Sequence, residues 1–260
     1  MAALEPRLLI AGWKDVSLVD VRGRTSFTLW FCGCNLKCPF CHNWMIAEAL
    51  PERCSWSNTE TILEALRGAA RLVDYLHITG GEPLVQWVVL KRLLQDVRRE
   101  VNIRISLNTN CTLTRYLQEV LKLSLVDHVA TDLKVPFSEM TGLTGYKCKR
   151  AEESFFKSLR LLGSHEVIVE LRIPVPSRIP EYTSMLRRAL ERAAEALGET
   201  KWYIVVNSLL GPPYTTPRNP EWCSKHCNPS RTELLEAENI AREIASEKGV
   251  SVYVVERSNA

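Results

Sequence analysis

Between Ser26 and Lys248, six short apolar runs alternate with six longer segments of helical periodicity. The runs lie at 26–31, 75–79, 103–108, 128–133, 167–173 and 202–207. The helical segments lie at 58–73, 86–99, 114–122, 151–162, 180–197 and 232–248. Short apolar runs bounded by turn residues read as buried strands, and amphipathic segments of ten residues or more read as helices. Strands joined through helices must pair in parallel with right-handed crossovers, and helices must cover the sheet. The fold class expected is therefore α/β. Eight such repeats close a full barrel; six predict a partial (β/α)6 TIM-like barrel, although a doubly wound sheet would give the same counts. A last run at 251–255 reads as an edge strand. Asn58 or Ser57 is placed to cap the first helix, Pro180 suits the first turn of the fifth, and Gly163 and Gly198 sit where helices should stop.

One domain is expected over residues 1–260. Its longest connection, 209–231, is rich in proline and contains Cys223 and Cys227. Long connections in compact domains are usually functional, so this one is expected to lie over the active face. Charge is nearly balanced, with 33 basic against 30 acidic residues. That balance requires neither a nucleic acid nor a membrane partner, while a small basic excess leaves RNA open. Residues 1–24 lack the apolar core of a signal peptide, and no run reaches membrane-spanning length, so a cytoplasmic protein is expected.

Catalytic and binding groups in such folds gather at the C-terminal ends of the strands. Cys34, Cys38 and Cys41 follow the first run, and Thr79–Pro83, containing Gly80, Gly81 and Glu82, follows the second. Asn108–Cys111 follows the third, Asp132–Lys134 ends the fourth, and Arg172 and Asn207 end the fifth and sixth. Three thiolates in one loop leave one iron of a [4Fe–4S] cluster without a local protein ligand, and an open metal position is where a substrate or cofactor binds. A zinc knuckle is the competing reading of the cysteines, and a simple turn is that of Gly80–Pro83.

Taken in order, these segments resemble the radical S-adenosylmethionine (SAM) enzymes. Within them the chain is most similar to activating enzymes of glycyl-radical enzymes, in particular those of anaerobic ribonucleoside-triphosphate reductase. The resemblance rests on Gly12–Asp20, Cys34–Asn43, Thr79–Pro83, Asn108–Cys111, Asp132–Pro136 and Thr141–Gly142, and covers roughly residues 12–208. It implies that Cys34, Cys38 and Cys41 hold a [4Fe–4S] cluster. It also implies that SAM binds the open iron and is cleaved reductively to a 5′-deoxyadenosyl radical, with a low-potential electron donor as a further partner. In this reading Gly80 and Gly81 let the backbone approach the methionine moiety. Glu82 accepts from its ammonium group, and Lys134 meets its carboxylate, with Asp132 orienting Lys134 or the ribose, against a simple Asp–Lys pair at a strand end. Arg172 is a second candidate for the carboxylate or sulfonium region, against a solvent-facing arginine. Phe40 is a candidate for the adenine, against core packing, and Asn207 is a weaker contact. Asn108 stands where relatives often have Asp; it keeps an acceptor for the ribose but loses a charge.

Six further cysteines, Cys32, Cys54, Cys111, Cys148, Cys223 and Cys227, fall outside every predicted helix, so all nine are expected on the active face. Cys223 and Cys227 admit three readings. They are ligands of an auxiliary cluster shared with Cys32 or Cys54, a disulfide or zinc clip pinning the long connection, or free thiols. The expected function is installation of a glycyl radical on a partner such as anaerobic ribonucleotide reductase. The alternative is radical modification of RNA or a small molecule, with a second cluster.

Overall fold

A computed structural model describes residues 7–255; the ends of the expected 1–260 domain lie outside the described residues. The chain divides into two compact units. The first takes in residues up to Asn35, Asn43–Thr109 and Arg115–Val129; the second takes in Leu36–His42, Asn110–Thr114 and the chain from Ala130 onward.

The first unit holds β1 (Arg7–Val21), β2 (Arg24–Phe31), α1 (Trp44–Ala47), β3 (Ser55–Asn58), α2 (Thr59–Ala69), β4 (Tyr75–Gly80), a 3-10 turn (Pro83–Gln86), α3 (Trp87–Glu100), β5 (Arg104–Asn108) and α4 (Thr114–Lys122), whose first residue counts with the second unit. Its strands run in the order β3-β1-β2-β4-β5. β6 (His128–Asp132) spans the division. The second unit holds α5 (Phe137–Met140), α6 (Gly145–Gly163), β7 (Ile168–Val175), α7 (Tyr182–Leu197), β8 (Trp202–Ser208), α8 (Pro220–His226), α9 (Arg231–Lys248) and β9 (Ser251–Val255), with β7-β8-β9 adjacent.

Every strand expected from the apolar runs is present, with boundaries within two residues. β2 pairs in parallel with β4, β4 with β5, β7 with β8, and β8 with β9. The helices follow the same logic. In α3, Leu90, Leu93, Leu94 and Val97 are wholly buried at one-face spacing. Each contributes roughly 1.5–3 kcal/mol relative to an exposed side chain. The Asn58 side chain accepts from the Thr61 amide at 2.8 Å and caps α2 as expected, and α9 opens with a capping box between Ser230 and Glu233.

Several features depart from the sequence expectation, among them α2, which ends at Ala69 rather than 73, and β7, which runs past Arg172 to Val175. β1, a strand of 15 residues antiparallel to β2, carries three register shifts that break its alternation of buried and exposed residues. α6 begins at Gly145 rather than 151, because its first turns are polar and exposed around a buried Cys148. α7 begins at Tyr182, after Glu181 at φ 56, so Pro180 precedes the helix instead of lying in its first turn. Cys148 lies in α6 and Cys223 in α8, so the expectation that no cysteine is helical fails. Among the described residues, no helix is long and apolar enough to cross a membrane.

The parallel ladders fix which strand ends coincide. Phe31, three residues before Cys34, pairs with Gly80, and Ile78 pairs with Leu107, next to Asn108. In the second unit Arg172 pairs with Val205 and Pro174 with Asn207.

Candidate functional site

In the first unit the strand-end residues are held by the chain's own backbone. The amide of Gly81 donates to Phe31 O and that of Glu82 to Gly33 O, both at 2.8 Å. A Cβ on Gly80 would stand 2.3 Å from Phe31 O, and one on Gly81 would stand 2.1 Å from Gly33 O. Both glycines are therefore required by close approach to the segment that leads into Cys34. Glu82 is fully buried. Its Oε1 accepts from the Leu84 amide at 3.0 Å, and Thr109 Oγ1 lies 2.9 and 3.0 Å from its two carboxylate oxygens. Sequence reasoning missed Thr109, although it sits inside the Asn108–Cys111 segment. Asn108 donates from Nδ2 to Thr79 Oγ1 at 3.0 Å.

In the second unit β6 and β7 bring four charged side chains together. Lys134, nearly buried, donates from Nζ to Asp132 Oδ2 at 2.9 Å. Arg172 donates from Nε to Glu170, and Tyr203 donates to the other Glu170 oxygen at 2.6 Å. The Leu133 amide donates to Arg172 O at 2.8 Å and ties the end of β6 to β7. Arg172 is 23% exposed and paired, not a solvent-facing arginine. Burial alone would raise the Asp132 carboxyl, but the charges of Lys134 and Arg172 and the Lys134 hydrogen bond hold it below the ordinary range. Burial opposes the Arg172 charge, yet Glu170 and Asp132 carry its pKa above the usual arginine value. His42 is lowered by burial, against the pull of Asp132. Glu170, Tyr203 and His42 were not singled out from sequence. The signal for Glu170 was its position two residues before Arg172, on the same face of the strand.

Cys38 and Cys41 also lie in the second unit, in a turn closed by the Cys41 amide on Cys38 O at 3.2 Å. The connection after β8 fastens onto this turn. Arg218 donates from Nη1 to Cys38 O at 2.9 Å and from its amide to Cys41 O at 3.1 Å, and the Asn219 amide donates to Pro39 O at 2.8 Å. From the other side, the Lys37 amide donates to Thr141 O at 2.9 Å. A Cβ on Gly142 would lie 2.1 Å from Lys37 O, which accounts for glycine after Thr141. A cavity of about 460 Å³ opens here, lined by Lys37, Pro39, Glu139, Arg218 and Trp222 among others. Phe40 packs on Trp222 with ring centroids 6.1 Å apart, and against a buried cluster of Met140, Leu209, Cys223 and Cys227. The Phe40 ring is half-buried there.

Four of the six further cysteines are paired, Cys32 with Cys54 and Cys223 with Cys227. Cys223 and Cys227 are thus joined as a disulfide, one of the readings their sequence left open. Cys34, Cys38, Cys41, Cys111 and Cys148 are outside disulfides. Among the described residues, no three His, Cys, Asp or Glu side chains stand close enough to hold a metal ion. The fit to an iron–sulfur cluster is therefore one of donor chemistry, with three unbridged thiols in one eight-residue segment. For a polar cofactor, the second unit offers an additional match. Asn207 Oδ1 is a buried acceptor with no hydrogen-bond partner, at the end of β8 beside the strand that carries Arg172.

A protein of Methanocaldococcus jannaschii, provisionally named a glycyl-radical enzyme activating enzyme, is 28% identical over 170 residues, 64% of this chain and 68% of that one. A 7-carboxy-7-deazaguanine synthase of Methanopyrus kandleri is 31% identical over 123 residues, 41% of this chain and 48% of that one. The chain thus spans about half the length of the second relative. A spore photoproduct lyase mutant shares the fold with a TM-score of 0.63 at 10% identity, over 86% of this chain and 75% of that one. The family model of the Radical SAM superfamily matches residues 29–215, most of the α/β sheet and every strand-end segment described above, and the chain belongs to that superfamily.

Proposed function

We propose that this radical SAM enzyme installs a glycyl radical on a partner protein such as an anaerobic ribonucleotide reductase. Membership of the superfamily implies a [4Fe–4S] cluster and SAM. When bound, they supply reductive cleavage of SAM to a carbon-centred radical. In the proposal Cys34, Cys38 and Cys41 hold the cluster as thiolates. Glu82, fixed by Thr109 and Leu84, offers its carboxylate to the ammonium group of SAM. Lys134 and Arg172 present cations to its carboxylate, and Asp132 and Glu170 hold those cations in place. Asn108 and Asn207 supply acceptors for hydroxyl or amine groups.

The observation that carries the glycyl-radical reading is the pairing of Cys32 with Cys54 and of Cys223 with Cys227. These disulfides take up the sulfurs that an auxiliary cluster would need, and minimal activating enzymes work with one cluster. The likeness to the M. jannaschii protein supports the same choice. A second reading, a small-molecule substrate, is favoured by the likeness to the 7-carboxy-7-deazaguanine synthase; modification of RNA falls under the same alternative.

The test is incubation of the anaerobically reconstituted enzyme with SAM, a low-potential electron donor and a glycyl-radical protein. A glycyl-radical signal by electron paramagnetic resonance on that partner supports the proposal. Formation of 5′-deoxyadenosine without any radical on the partner overturns it in favour of another substrate.

A further inference from the structure

We propose that the Cys223–Cys227 disulfide is a redox-controlled clamp on the Cys38–Cys41 segment, acting through Arg218 and Asn219. α8 has seven residues, too few to be stable as an isolated helix. It is held at its start by Asn219, whose side chain accepts from the Trp222 amide at 2.9 Å, and by Pro220 in its first turn. At its other end it is held by the disulfide, which joins its middle to its C-cap. The same two cysteines are nearly inaccessible and belong to the apolar cluster against which Phe40 and Trp222 pack. Arg218 and Asn219, immediately before α8, make the three hydrogen bonds to the carbonyls of Cys38, Pro39 and Cys41. One covalent bond therefore lies under two of the contacts that hold the ligand segment, the packing of Phe40 and the hydrogen bonds from Arg218 and Asn219.

Reduction disturbs both. A dithiol reductant delivers two electrons and two protons, the S–S bond breaks, two thiols form, and the reductant becomes a disulfide. Two thiols cannot remain at bonding distance, so the sulfurs must separate. On the Gly211 side there is little room, since a Cβ there would stand 2.7 Å from Cys223 Sγ and 2.7 Å from Cys227 Cβ. Separation towards Gly211 shifts its backbone or the last turn of α8. The adjoining cavity lined by Arg218, Asn219, Pro220 and Trp222 gives the displaced segment room. In the disulfide state the Cys38–Cys41 turn is ordered before any metal arrives; in the dithiol state it is released.

The inference gains its biological meaning from the reading of Cys38 and Cys41 as cluster ligands, but its test needs no metal. The experiment is hydrogen–deuterium exchange on the metal-free protein, oxidised and then reduced with dithiothreitol. A Cys32→Ser/Cys54→Ser background leaves one disulfide to reduce, and the unsubstituted protein, with thiols mapped by alkylation, serves if that variant does not fold. Reduction is expected to raise exchange at the Cys41, Arg218 and Asn219 amides at least tenfold while α3 is unchanged. Arg218→Ala removes only the Nη1 bond to Cys38 O and keeps both amide donors, so it is expected to speed exchange at Cys41 in the oxidised state while the Arg218-position and Asn219 amides remain redox-dependent. Equal protection in the two states, or a disulfide that dithiothreitol does not open, would overturn the clamp. Iron loss to a chelator after reconstitution then tests the cluster reading separately. Redox-dependent exchange in a chain that binds no iron would sustain the clamp and reject the ligand assignment.

Discussion

The hydroxyl of Thr109 lies within hydrogen-bonding distance of both carboxylate oxygens of Glu82, 2.9 and 3.0 Å away, in a pocket where both side chains are buried. Thr109→Val keeps the shape and removes the donor. A buried acceptor that loses a partner costs about 1–3 kcal/mol. The variant is therefore expected to lower unfolding stability by that amount in urea titration. It should also weaken SAM binding, measured by equilibrium dialysis, because Glu82 loses its orientation. Unchanged stability and binding would remove Thr109 from the site.

Lys134 and Asp132 give a second prediction. Lys134→Met removes a nearly buried cation but keeps most of the side-chain volume. Charge-assisted hydrogen bonds contribute roughly 1.5–3 kcal/mol, so SAM affinity is expected to fall about tenfold or more by the same dialysis. Binding equal to that of the unsubstituted protein would place the SAM carboxylate elsewhere.

The depressed pKa of Asp132 has a signed consequence for stability. A carboxyl whose folded pKa lies below its unfolded value adds stability above the unfolded pKa, about 3.9, and loses it as pH falls through the folded pKa. The unsubstituted protein should therefore exceed Asp132→Asn in melting temperature by a constant margin near neutrality. That margin should shrink as the medium is acidified below about pH 4. A margin that grows on acidification would contradict the charge arrangement at β6.

Two glycines separate close packing from open space. A Cβ on Gly142 meets Lys37 O at 2.1 Å with φ at +69, whereas one on Gly68 in α2 meets nothing within 4 Å. Gly142→Ala is expected to destabilise by about 1–3 kcal/mol or more through displaced backbone. Gly68→Ala should stabilise by roughly 0.5–1 kcal/mol through helix propensity. Chemical denaturation of the two variants checks both signs.

The strands were legible because each is a short apolar run, such as Leu76 and Ile78 or Val169 and Leu171, bounded by turn residues. β1 was hidden because its register shifts break the period-two pattern on which that reading depends. The strand-end residues were legible by position, since Gly80, Asn108 and Asp132 each close a strand, whereas Arg172, expected at a strand end, lies three residues before the end of β7. Their partners were not, because hydrogen-bonded pairs such as Thr109 with Glu82 or Arg218 with Cys38 join residues 27 and 180 positions apart. The fate of the extra cysteines was also beyond spacing alone. Cys223 and Cys227 could have ligated metal until the geometry of α8 brought their sulfurs together.

The most direct test of the central assignment, that Cys34, Cys38 and Cys41 hold the cluster used with SAM, is anaerobic reconstitution. Iron and sulfide are counted, and 5′-deoxyadenosine is assayed under reduction. The account predicts about four irons per chain and SAM cleavage, both lost in Cys34→Ala and both kept in Cys148→Ser. Retention of iron and cleavage in Cys34→Ala would contradict it.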